Sequence, residues 1–127
     1  MEELIAYHAE TGPGTMFGFS GFNDNILLSL PLPAGRYVVH ARLGIGNSDS
    51  DDQAMSCSIK VRGTLQYVDR VNYRLAGWSQ PIWFALQGVV ELYEGGDVLD
   101  LTAGTYKGYV SEPRILAFNV NAIVPPV

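Results

Sequence analysis

Few residues in this 127-residue chain can do chemistry: two histidines, His8 and His40, and one cysteine, Cys57. One imidazole near a hydroxyl and a carboxylate is enough for a hydrolase, because such triads are set by geometry and not by order along the chain. The Gly-x-Ser-x-Gly turn that exposes a serine nucleophile is missing, and Gly18, Phe19, Ser20 and Gly21 do not supply it. Hydrolase activity is therefore the least favoured reading, and the chain is expected not to be an enzyme. Nor is there a phosphate-cradling loop or a dinucleotide fingerprint. Gly44, Ile45 and Gly46 make too short a glycine motif, on a strand pattern with no helix behind it. A single cysteine closes no intrachain disulfide and completes no cysteine-based zinc site within one chain. It is compatible with the cytoplasm, or with a particle or fibre assembled there.

Two groups of residues suit binding. The acidic run over 47–53 holds Asp49, Asp51 and Asp52 with further side-chain oxygens, about half the six to eight oxygens that calcium takes. It lacks the glycine and the closing glutamate of an EF-hand loop, so a solvated inter-strand loop is the favoured reading and calcium the alternative. Beside Gly77, Gly104 and Gly108 stand Trp78, Tyr106 and Tyr109, expected on loops, with Lys107 between the two tyrosines. Exposed rings stack on sugars or anchor proteins, and neighbouring polar groups orient the ligand. The competing reading packs these rings onto their own subunit or a neighbour.

The elements that must position these groups are strands. Fourteen glycines and seven prolines cut the chain into short apolar segments, and no stretch shows a helical repeat. Alternation is clearest over 35–45, where Tyr37, Val39, Ala41, Leu43 and Ile45 share one face and His40 and Arg42 the other. It recurs over 53–61, which places Cys57 in the core with Met55, Ile59 and Val61. A weaker strand spans 65–73, and shorter ones 4–8 and 26–30, around the turn at 11–14. Residues 16–22 make a bulged strand or an aromatic loop. Segment 81–93 is apolar on both faces, so Trp83, Val89 and Tyr93 need cover, from another subunit or from a loop of the same chain. The turn at 94–97 leads into strands over 98–103 and 114–124, and the proline-bearing tail 124–127 ends pairing. About eight strands with no internal repeat predict an all-β, two-sheet antiparallel jelly-roll sandwich occupying 1–127 as one domain.

Composition narrows the partners. Lys and Arg total 8 against 13 acidic residues, with no basic cluster, which argues against nucleic acid. No run reaches the roughly 18 apolar residues of a membrane span, and the acidic N-terminus does not read as a signal peptide. Apolar residues make up 47% and charged residues only 17%, so part of the apolar surface is expected to meet partner subunits.

The order of segments resembles the C1q and tumour necrosis factor jelly-roll superfamily. The resemblance is carried by residues 35–41, 60–63, 86–101 and 111–115, including the Gly96, Asp97 turn followed by Leu99 and Leu101. It implies a homotrimer in which one sheet of each protomer packs around a three-fold axis. Residues 32–39, 51–53, 56–57 and 114–123 are similar to small bacterial sandwich modules of unassigned function, which carry a second cysteine near Thr102 or Ala103 that this chain lacks. The resulting expectation is a non-catalytic homotrimer, structural or presenting loops to a protein receptor. A lectin-like domain that binds carbohydrate through Trp78, Tyr106, Lys107 and Tyr109 is the alternative.

Overall fold

Every regular element among the described residues is a strand, as the alternation demands. The computed structural model describes residues 5–11 and 16–120, with side chains for 5–11 and 25–120. Strands β1 (Ala6–Glu10), β2 (Met16–Leu32), β3 (Gly35–Asn47), β4 (Gln53–Val61), β5 (Tyr67–Leu75), β6 (Ile82–Leu92) and β7 (Asp97–Asn119) pair antiparallel throughout.

β7 organises the rest. Along one edge it pairs first with β2, from Asp97↔Leu32 to Ser111↔Met16, and then with β1, from Arg114↔Glu10 to Phe118↔Ala6. Along the other edge it pairs with β4, from Leu99↔Val61 to Thr105↔Met55, and then with β3, from Gly108↔Asn47 to Asn119↔Tyr37. Its first half therefore belongs to a sheet with β2, β4 and β5, and its second half to a sheet with β1, β3 and β6. The outer edges of the two sheets meet without a ladder: the Gln87 backbone N–H donates to Asp69 Oδ2 at 2.9 Å, and Tyr73 packs edge-on to Phe84 at 5.5 Å.

The described residues form seven strands instead of about eight. The expected strand 98–103 and residues 114–119 of the expected strand 114–124 belong to one 23-residue strand that bends from sheet to sheet, and 16–22 joins 26–30 in β2 across register shifts. Glycine and proline in β7 mark bends and bulges, which sequence reading takes for chain breaks. Tyr106 and Tyr109 consequently sit within β7 and not on loops. Residues 12–14 of the expected turn, 121–124 of the expected last strand and the tail 124–127 lie outside the described residues.

The core holds the alternating residues read from the sequence. Tyr37, Val39, Leu43 and Ile45 are buried from β3, Met55, Cys57 and Ile59 from β4, and Leu99 and Leu101 from β7. Burial pushes the Cys57 thiol up to about 12, so it is an unreactive filler of the core. Gly96, with φ +70, turns β6 into β7 beneath Leu32, where a side chain would meet backbone.

Candidate functional site

Two surfaces collect the residues that sequence reading singled out. The first lies where β7 passes between the sheets, beside the 48–52 and 76–81 connections. Asn47, the last residue of β3, is 1% exposed and ties them together. Its amide donates to the carbonyls of Asp51 at 2.7 Å, Ala76 at 3.0 Å and Leu75 at 3.4 Å. Its Oδ1 accepts the Asp49 N–H at 2.9 Å, an Asx turn, while its own N–H donates to Ser79 Oγ at 3.1 Å. The Trp78 N–H donates to the Asp49 carbonyl at 2.7 Å, and the Gly77 N–H to Asp52 Oδ1 at 3.1 Å.

This clamp holds Trp78 at φ 51, a left-handed conformation rare outside glycine and asparagine, with the side chain 69% exposed. The ring borders a shallow open depression lined also by Asn47, Ser48, Ser79, Gln80, Pro81 and Tyr109. The Tyr109 hydroxyl donates to the Ser79 carbonyl at 3.3 Å, and its ring lies on Gly46, where a Cβ would collide with it. Of the four expected ligand-binding residues, Trp78 and Tyr109 line the depression. Tyr106 and Lys107 are exposed on β7 outside that lining.

The acidic loop does not aim its carboxylates at one point. Asp49 accepts from Ser50 N–H at 2.7 Å and from Gln53 at 3.3 Å, with the Lys107 ammonium 3.7 Å away. The Ser50 N–H foremost, with the Lys107 charge, holds the Asp49 carboxyl below the usual carboxylate range. Asp52 is committed to Gly77 and lies 3.8 Å from Arg74, while Asp51 is exposed and contributes its carbonyl to Asn47. Among the described residues, no group of three histidine, cysteine or carboxylate side chains is placed to hold a metal ion. The Asp49 and Asp52 carboxylates brace backbone, Ser50 within the loop and Gly77 in the neighbouring connection.

The second surface is the outer face of the sheet β1, β7, β3, β6. Residues opposed across antiparallel strands share a face, so the register defines three rows. Ala6, Phe118, Val38 and Val89 form an apolar row. His8, Leu116, His40 and Gln87 form the next, and Glu10, Arg114, Arg42 and Ala85 the third. Trp83 follows on β6, 43% exposed, beneath the Arg42 guanidinium at 4.6 Å. Val89 is 53% exposed.

Arg42 covers part of the Trp83 ring, and Trp83 and Val89, the two-sided apolar strand's outer residues, both remain exposed on this chain. Tyr93 departs from the expectation. It lies beyond the end of β6 and lines a separate cleft with Glu94, Thr64, Gln66 and Asp97. The other apolar members of the face, Val38, Leu116 and Phe118, went unassigned. Their alternation was visible in the sequence, but only the register reveals that they meet.

This geometry defines an all-β jelly-roll domain, with loops and a strand bend at one end and a partly apolar sheet face at its side. No protein family matches the chain by sequence, and no curated protein does. Solved structures share the fold. A chain of infectious bursal disease virus, Gx strain, superposes with TM-score 0.65 at 12% identity over 98% of this chain and 35% of the viral one. This chain thus spans about a third of that protein. The Eiger TNF of S. frugiperda matches with TM-score 0.51 at 11% identity over 99% of both chains. The C-terminal domain of EclA, described as a sugar-binding protein, matches with TM-score 0.51 at 13% identity over 83% of this chain and 79% of that one. At such identities the likeness establishes the fold alone.

Proposed function

We propose that the chain is a non-catalytic binding module that assembles as a homotrimer through the outer face of the sheet β1, β7, β3, β6, serving as a structural unit or as a head that presents loops to a receptor. The observation that carries the reading is the apolar row Ala6, Phe118, Val38, Val89, with Val89 exposed and Trp83 exposed farther along β6 on the same face. Soluble monomers seldom leave contiguous apolar patches uncovered, and the low charge of the chain fits burial of such a face. The full-length fold match to a TNF agrees with the superfamily resemblance that implies a three-fold assembly. Multi-angle light scattering at micromolar concentration is expected to return three times the chain mass. A monomeric mass would remove the reading.

One observation favours a second function alongside it. Trp78 is exposed, its backbone N–H bonded to the Asp49 carbonyl, and it shares a depression with the polar side chains of Ser48, Ser79 and Gln80 and with Tyr109. A rigid ring with polar groups at its rim is the arrangement that stacks on a neutral sugar, and a fold relative is a sugar-binding protein. On a glycan array the parent is expected to bind and Trp78→Ala to lose binding with an unchanged unfolding midpoint. A flat array from a stable trimer would leave the protein-binding or structural role.

A further inference from the structure

Arg42 on β3 and Arg114 on β7 are paired directly across the ladder, and both side chains are exposed. Opposed residues stand about 5 Å apart, and like charges so placed destabilise a sheet. The register cannot slip to relieve them, because a one-residue shift would turn Val39, Ala41, Ile115 and Ala117 out of the core. The Trp83 ring, 4.6 Å from the Arg42 guanidinium, supports that side chain from one side. The row continues past Arg42 to Ala85, too small to cover the pair, and past Arg114 to Glu10, the one carboxylate in it. Glu10 makes no ion pair with Arg114 within 4.0 Å. His8 and His40 occupy the adjoining row. The row thus sets two guanidinium charges against one carboxylate, on a chain whose formal net charge is -5.

We infer that the Arg42 and Arg114 pair is a binding site for a small free oxyanion of the sulfate or phosphate class. Guanidinium forks on two facing residues can each donate a pair of N–H groups to the oxygens of such an ion, Arg42 turning from the Trp83 ring to do so, and a doubly charged ion balances both. In the homotrimer proposed above, on which only this last consequence rests, the bound ion offsets repulsion between copies of the pair and tightens assembly.

Sulfate is the probe, with chloride at matched ionic strength as the control. In the parent, the Nε–H resonances of Arg42 and Arg114 are expected to shift saturably with sulfate, and Arg114→Gln is expected to weaken the response at Arg42 at least tenfold without lowering the unfolding midpoint. Linear, unsaturated shifts at all arginines alike, Arg36 and Arg74 included, would overturn the site. In sedimentation, sulfate is expected to tighten the parent trimer and leave the Arg114→Gln trimer unaffected. Sulfate that loosens the parent trimer would mean that a neighbour's carboxylate already fills the position, and would overturn a free-ion site. A parent that is monomeric in both salts but responds saturably upholds the site and removes the trimer.

Discussion

Asn47 shows how much one buried amide can govern. Its side chain satisfies carbonyls from two connections, and removal would leave those acceptors unpaired. Asn47→Ala is expected to lower unfolding free energy in urea by about 1–3 kcal/mol and to free the Trp78 loop. The Asp100 carboxylate, 4% exposed, obeys the same logic with charge: Arg62 donates to both of its oxygens at 2.8 and 3.0 Å, and Ser29 at 2.8 Å. Burial raises its pKa, but these hydrogen bonds with the Arg62 and Lys60 charges outweigh that and hold it below the ordinary carboxylate value. A depressed folded pKa stabilises the protein above the unfolded value and loses that contribution as pH falls through the folded one. Parent stability is therefore expected to fall more steeply below about pH 4 than that of Asp100→Asn, followed by denaturant titration across pH. Cys57, its thiol raised to about 12, is expected to resist a disulfide-exchange reagent at pH 8 until the protein is unfolded.

At the scale of elements, the hairpin joining β4 to β5 carries Leu65 at φ 59, 66% exposed. A leucine in the left-handed region costs about 1–2 kcal/mol, and exposure gives it little in return. Leu65→Asn, a residue that tolerates this region, is expected to raise the thermal midpoint, measured by calorimetry. Strands β3 and β4 were legible because their alternation runs unbroken through Ile45 and through Val61. β7 was not, because Gly104, Gly108 and Pro113 look like punctuation when read locally. They sit where the strand changes sheets, and only pairing on both edges shows its continuity. The same misreading put Tyr106 and Tyr109 on loops. Trp78 was placed correctly, because Gly77 and Pro81 do bracket a connection. That Tyr109 lines the same depression follows from Gly46 leaving room for the ring on a third element, and no local pattern announces such a convergence.

For the whole molecule, the apolar row and the guanidinium row lie on one face a few residues apart, so their contributions to assembly are separable. Val38→Glu together with Val89→Glu is expected to yield a monomer by light scattering while keeping the parent's circular dichroism. A trimer that survives both changes would place the contact elsewhere. The arrangement of strands also bears on how the molecule comes into being. β1, β2, β3 and β4 all find a partner in β7, and β7 is the last described strand to leave the ribosome. Until Asp97–Asn119 emerges, β1 and β2 have no edge to join, and the β4–β5 hairpin and the β3–β6 pair lack the strand that connects them. Assembly of the fold is therefore deferred to the end of this stretch of synthesis and dominated by distant pairings, which places folding in the millisecond-to-second range typical of such topologies. During that wait β1, β2 and one edge each of β3 and β4 stand unpaired, the interval in which a nascent β protein is most exposed to aggregation and most dependent on chaperones.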